Sequence, residues 1–361
     1  MTPEAVTLKI DGEEFSSWEA VSVSSSIDSL CASFRLRLTD NQPGRVDRSV
    51  IRDQAACELW LGKTLFLTGY INDVDDDLSE SSHTVTVSGR DKTGDLVDCS
   101  AVHSPGTFKN QKLEAIATHL LAPFGLKLRV DASTGAPFAS FALEQGEKVL
   151  EAITRLCRMR GVMLKTDRDA TVVIFKPAAT KPKATLELGR NVKRRRFHST
   201  SAERFSQYIV KGQHQGGSYV EAKDAAQPKG TAKDAAITRY RPLIIISDEQ
   251  ATAGGLKTRA EWEATVRMGK ALDLNVDVAG WRDDNGDLYT PGDRVRYLSS
   301  KDGPELIMMI TAVDFDLSNG TTSRLTLARP EAFTTEAILE PKKKKGKKNV
   351  EAQWEAALGS D

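Results

Sequence analysis

Val6, Leu8 and Ile10 alternate with polar residues up to Asp11-Gly12, and the same period returns in Val21 and Val23 and in Phe34, Leu36 and Leu38. Alternation of period two places apolar side chains on one face of a strand. The run Ala56–Leu61, the run 65–70 and the segment 84–88 bring the total to about six short strands. Asp40-Asn41 and Pro43-Gly44 supply turns between them, and Gly69 before Tyr70-Ile71 marks a bend or bulge. This spacing predicts a β-barrel or sandwich over 1–98.

The period then changes. Leu113, Ile116, Ala117, Leu120, Leu121 and Phe124 follow helical spacing, with Gly125 as the stop. Val149, Leu150, Ile153, Leu156 and Cys157 form a second stripe, flanked by Glu144 and Glu147 at the positive end and by Arg155, Arg158 and Arg160 at the negative end. Strands at 162–164 and 171–175 complete an α+β domain over 99–180. The segment 177–183, with two prolines and two lysines, reads as a linker.

Beyond it, strands are predicted at 186–188, 207–211 and 219–222, followed by a polar, alanine-rich loop over 224–234. Residues 239–246 are basic and then wholly apolar, as for a strand entering the interior. A long helix over 247–273 presents a small-residue stripe (Ala260, Ala264, Met268, Ala271) that lets a neighbour approach closely. Its early Gly254-Gly255 costs roughly 1 kcal/mol per glycine relative to alanine. Val276 and Val278 alternate, Asp283-Asp-Asn-Gly-Asp287 predicts a hairpin turn, and strands at 306–310, 313–317 and 323–328 follow. A second, discontinuous β-barrel-like domain is therefore expected from 184–246 and 274–330, with the helix inserted. The tail 331–361, which holds six lysines within 342–348, cannot bury itself.

At 361 residues the chain exceeds what one core supports, which agrees with several domains. Its 50 basic and 50 acidic side chains cancel, but not locally. Residues 1–100 hold 18 Asp/Glu against 9 Lys/Arg, and residues 181–241 hold 14 Lys/Arg against 5 Asp/Glu. Such polarity suits contact between unlike surfaces in an assembly better than a dedicated nucleic-acid binder. No apolar run is long enough to span a membrane, and the acidic start Met1-Thr-Pro-Glu predicts no signal peptide. Cys31, Cys57, Cys99 and Cys157, far apart and without CxxC spacing, read as small buried thiols.

The segment 89–101, Gly-Arg-Asp-Lys-Thr-Gly-Asp-Leu-Val-Asp-Cys-Ser-Ala, invites a phosphate-loop reading and fails it. Asp95 stands where the lysine must be. It reads instead as the exit from the first β-domain, its glycines making the turn and Asp91, Lys92 and Asp95 fixing it. Asp73, Asp75 and Asp77 match only the first part of a cation loop, and a solvated loop accounts for them. The five histidines show no i, i+4 pair, and GxSxG is absent, so neither a zinc protease nor a serine hydrolase has local support. No metal, cofactor or catalytic residue is expected. Lys193, Arg194, Arg195 and Arg196 are the best polyanion contact. The same run also suits a charged edge that pairs with an acidic neighbour.

The stretches "VTLKIDGEEFSSWEAVSVSSSID" (6–28), "GRDKTGDLVDCSAV" (89–102), "LEAIATHLLAPFG" (113–125), "ITRYRPLIII" (237–246), "GWRDDNGDLYTPGDRV" (280–295) and "RLTLARPEAF" (324–333) resemble, in order and spacing, the baseplate hub proteins of Mu-like phages (the tail protein P family). That family is similar in fold to the hub of T-even phages and to type VI secretion spikes. The resemblance implies an α+β, multidomain chain with two antiparallel β-barrel-like domains and smaller α+β parts, assembling as a trimeric ring. It implies a structural, non-enzymatic hub that joins a sixfold tail tube to a threefold central spike and forms part of a DNA ejection channel. The expected partners are its own copies, the spike and the tube, with tape measure and wedge proteins as further candidates and DNA only in passage. The place is the virion baseplate, after assembly in the host cytoplasm. A baseplate-associated cell-wall hydrolase and a DNA-binding module using 193–196 and the lysine tail are the alternatives.

Overall fold

The computed structural model describes residues 4–39, 50–80, 82–176, 181–212, 229–247, 253–299, 305–317 and 320–330. The expected turns at 40–44, strand at 219–222, most of the linker and the lysine tail lie outside these residues.

The N-terminal strands are β1 (Val6–Ile10), β2 (Glu13–Phe15), β3 (Ala20–Ser26), β4 (Ser33–Thr39), β5 (Ala56–Leu61), β6 (Thr64–Leu78) and β7 (His83–Asp91). A short helix α1 (Gly94–Asp98) leads into β8 (Thr107–Gln111), α2 (Leu113–Leu121), β9 (Leu128–Val130), β10 (Phe138–Ala142), α3 (Val149–Arg160), β11 (Met163–Thr166) and β12 (Val172–Phe175). The remainder comprises β13 (Ala184–Glu187), β14 (Val192–Ser199), β15 (Gln207–Gly212), β16 (Lys229–Lys233), β17 (Pro242–Ser247), α4 (Ala253–Lys270), β18 (Leu272–Ala279), β19 (Arg294–Leu298), β20 (Leu306–Leu317) and β21 (Thr321–Ala328).

Hydrogen bonding does not keep two β-domains apart. One 13-stranded sheet runs β14-β18-β21-β20-β3-β4-β7-β6-β5-β1-β2, with β13 and β19 attached beside β20. The junction is antiparallel pairing of β20 with β3, from Ala312↔Ser26 to Leu317↔Val21. Alternation fixes which face is buried. Leu8, Val23, Leu36, Val87, Val276, Val313 and Leu325 share one core cluster that spans both strand groups.

The two groups repeat one scheme. In the first, β3–β4–β7–β6–β5–β1 are neighbours; in the second, β14–β18–β21–β20–β19–β13 are neighbours, in the same chain order. Each long strand, β6 or β20, carries a register shift at the matching place, between Ile71 and Asp73 and between Ile310 and Ala312. The copies differ at one end, where β1–β5 is antiparallel and β13–β19 parallel.

Residues 93–176 pack around a core of their own that includes Phe108, Ile116, Phe138, Ile153 and Leu156. Arg155 grips Glu147 through two bonds, Nε to Oε1 at 2.9 Å and a terminal nitrogen to Oε2 at 2.8 Å, just before α3 rather than inside it. Strands β15, β16 and β17 correct the expectation for 184–246. They form a separate three-stranded sheet covered by α4, with Tyr208, Val210, Leu256 and Ala260 as its core. Part of the expected loop 224–234 is strand β16, and β17 is not interior on both sides, since Ile244 and Ile246 are each 54% exposed. A second correction concerns β19. It returns against β20 and β13, and only the Arg282↔Leu288 bridge closes the expected hairpin, because β21 already occupies the free edge of β18.

Candidate assembly interface

β14 ends the large sheet and pairs with one strand, β18. Its register sets Arg194 opposite Asp277, Arg195 opposite Val276, Arg196 opposite Asn275, Phe197 opposite Leu274 and His198 opposite Asp273. The pleat therefore divides the basic run between two faces. Arg194, Arg196 and His198 stand on the outer, polar face, and Arg195 and Phe197 on the side of buried Val276 and Leu274. Lys193 is exposed at a register shift. The four cations thus make a charged edge rather than one convergent phosphate cradle. Burial raises the Asp273 carboxyl above its usual range, and the neighbouring His198 offsets only part of that rise.

The polar face continues across the sheet. Arg324 Nε donates to Asp277 at 3.2 Å, Thr326 to Asn275 at 2.9 Å, and Ser24 and Ser33 share a 2.7 Å bond. Arg35, Arg37, Asp314 and Asp316 lie on the same face by register.

The acidic cluster at 73–77 is not a solvated loop; it is the second half of β6. Here β6 pairs with β7, from Asp73↔Ser88 to Leu78↔His83, whereas its pairing with β5 stops at Tyr70. Beyond that point no described strand lies along the other edge of 72–78. Asp73, Asp75 and Asp77 are spread along the polar face, with Ser88 donating to Asp73 at 3.3 Å. Strand spacing keeps them from converging on one ion. Asp76 points the other way and meets His83 Nε2 at 2.5 Å. Among the described residues, no group of three or more His, Cys, Asp or Glu is arranged to hold a metal ion.

The 89–101 segment keeps its role as an exit and Asp91 fixes it as expected, but Gly89 does not make the turn. Gly89 is in mid-strand: an added Cβ would lie 2.3 Å from the Tyr70 carbonyl oxygen and 2.6 Å from the Phe34 ring. The turn is held by buried Asp91, which accepts from the Ala32 and Thr93 amides, each at 2.8 Å, and from the Thr93 hydroxyl. Arg90 and Asp98 pair across it, and the Lys92 amide donates to the Thr68 carbonyl at 3.1 Å. Cys99 is exposed, unlike buried Cys57 and Cys157. Burial raises the thiol of Cys57 to about 12.

Other candidates take structural places. Trp262 lines a cleft between α3 and α4 with Cys157, Met163 and Val266, and Trp60 donates to Glu58 at 3.0 Å. In Asp283–287 the Asp283 carboxylate accepts from the amides of Asn285 (2.8 Å) and Asp287 (3.0 Å), so the carboxylate fixes its own turn. His103 and His119, 16 residues apart and without helical spacing, meet at 2.9 Å against the Phe108 ring. One sequence signal of the repeat was open to reading. Val74-Asp-Asp-Asp-Leu78 and Val313-Asp-Phe-Asp-Leu317 share V-D-x-D-L at equivalent places on β6 and β20.

Comparison with known proteins bears on this architecture. Residues 5–91 match the model of the Mu phage baseplate assembly protein GpP-like N-terminal domain, and residues 93–176 that of the second domain of gp44-like baseplate hub proteins. Residues 204–262 match the third domain of NMB1110-like tail proteins, and residues 252–336 the fourth domain of GpP. The chain is 36% identical over 351 residues to the baseplate hub protein gp44 of Escherichia phage Mu, covering 94% of this chain and 92% of that protein. It is similar to the 43 kDa tail protein of prophage MuSo2 from Shewanella oneidensis, with 33% identity, a TM-score of 0.81, and coverage of 91% of this chain and 100% of that one. It shares a fold with the E. coli c3393 protein, a type VI secretion component described as structurally similar to the T4 tail proteins gp27 and gp5. That match has 12% identity and a TM-score of 0.55, over 89% of this chain and 75% of that one.

Proposed function

This chain belongs to the baseplate hub proteins of Mu-like phage tails, and from that premise we propose that three copies close into a ring joining the sixfold tail tube to the threefold central spike. The observation that carries this reading is the repeated strand scheme. Each chain offers two copies of one pairing order, fused edge to edge through β3 and β20, so three chains would present six similar units to the tube. The parts outside the repeat, 93–176 and the α4-covered sheet, occur once per chain and would keep threefold symmetry for the spike. The extended polar face supports a role as the wall of a passage through which DNA leaves, with contacts that carry no sequence preference. The work is mechanical: it holds the spike, lines the tube end and opens a path on sheath contraction, without bond chemistry. Assembly takes place in the host cytoplasm before the particle leaves, and tape measure and wedge proteins are the further neighbours to test.

Light scattering on the purified chain tests the ring directly. A mass of three chains is expected, and electron microscopy of the same sample should show a ring with six lobes. A chain that stays monomeric at high concentration overturns the proposal.

A further inference from the structure

The repeat also identifies which surfaces meet between copies, and at what register. Within one chain, the second half of β20 (312–317) is completed by β3 of the other repeat. By pairing order and by the shared register shift, 72–78 of β6 is equivalent to 311–317 of β20, and β14 is equivalent to β3. These two counterparts, 72–78 and β14, are both edges of the large sheet with no described strand beside them; β2 and β13 also end it, but neither is the counterpart of a strand in the β3–β20 junction. We propose that β14 of one copy adds antiparallel to 72–78 of the next copy. The register is that of β3 on β20, with Arg196 opposite Asp77 and His198 opposite Asp75. This rests on the ring reading above and gives it an atomic contact.

Charge selects this partner over the alternatives. β14 carries Lys193, Arg194, Arg195 and Arg196; the facing segment carries Asp73, Asp75, Asp76 and Asp77. Two β14 edges repel one another, as do two acidic edges, so a two-fold dimer through either is disfavoured. Only the unlike edges attract, and a head-to-tail contact of that kind makes a ring when its rotation closes. The seam inside the chain has no such bias, since β3 presents Ser22 and Ser24 to Asp316 and Asp314. The transferred register also accounts for Leu78, which is 72% exposed in the single chain. It falls opposite Arg195, where the arginine stem and the neighbouring Phe197 ring would cover it.

Cysteines at the paired outer positions test the register. In a Cys99→Ser background, Asp77→Cys with Arg196→Cys should form a reducible covalent trimer under mild oxidation, with either substitution alone giving none. Shifting one partner, as Asp77→Cys with Arg194→Cys, should reduce the yield severalfold. As an independent check, Arg196→Glu sets like charges face to face, which costs about fivefold per contact and about a hundredfold across the three contacts of a closed ring. Asp77→Lys in the same chain should restore assembly. If light scattering shows trimers but the in-register cysteines do not link, or Arg196→Glu assembles normally, the seam is wrong and the ring survives. If the parent chain is monomeric, both fall.

Discussion

Asp91 gathers two hydrogen bonds from the turn that it closes and a third from Ala32, and its environment sets a measurable sign. Burial raises its carboxyl above the ordinary range, although the bonds from Thr93 and Ala32 act in the opposite direction. A raised acid binds its proton more tightly folded than unfolded. Its contribution to stability is therefore full below the ordinary aspartate range and is lost as pH rises through the folded value. Asp91→Asn should cost about 2 kcal/mol, because its amide nitrogen replaces an acceptor facing buried donors. Urea midpoints of the two proteins should converge as pH rises from about 4 towards 7. A gap that is constant or widening would contradict the assigned shift. The sequence placed Asp91 in a polar turn, but its partner Ala32 is 59 residues away, a distance that no local pattern encodes.

Strand positions were legible because alternation marks a half-buried strand whichever sheet it joins. The same indifference hid the pairing. Nothing in Pro242–Ser247 announces a small separate sheet, and nothing in Arg294–Leu298 announces β20 rather than β18 as its neighbour. β16 does approach α4 closely, but at Leu256 and Lys257 rather than along the expected small-residue stripe, of which Ala260 joins the shared core and Ala271 lies past the end of the helix. Gly230 sits so near the helix that an added Cβ would lie 2.1 Å from the backbone of Leu256 and of Lys257. Gly230→Ala should lift α4 from its sheet at a cost of about 3 kcal/mol. Hydrogen exchange of the α4 amides would then speed up about a hundredfold, with the 13-stranded sheet unaffected. Unchanged α4 protection would show that the helix is held by other contacts.

Across the whole molecule, the opposed charge of the two chain regions was visible in the sequence. The fold gives part of it a place, since the acidic run 73–77 lies on one open edge and the basic run 193–196 on another. The candidate run Lys193–Arg196 was legible as charge and illegible as geometry, because a strand sends successive side chains to opposite faces. A seam held by such edges weakens with salt. Raising ionic strength from about 0.05 M to about 0.5 M shortens the screening length severalfold and should shift trimers towards monomers in sedimentation. Association that strengthens with salt would point to an apolar seam elsewhere.

The β3–β20 junction lies within one chain, so its strands remain neighbours at an effective concentration that dilution cannot change. The seams between copies have no such tether. Of the six joints around such a cylinder, three would be permanent and three reversible, in strict alternation. A wall made that way yields along three lines only. Under dilution, or under the load of a contracting sheath, it would part into thirds and never into sixths.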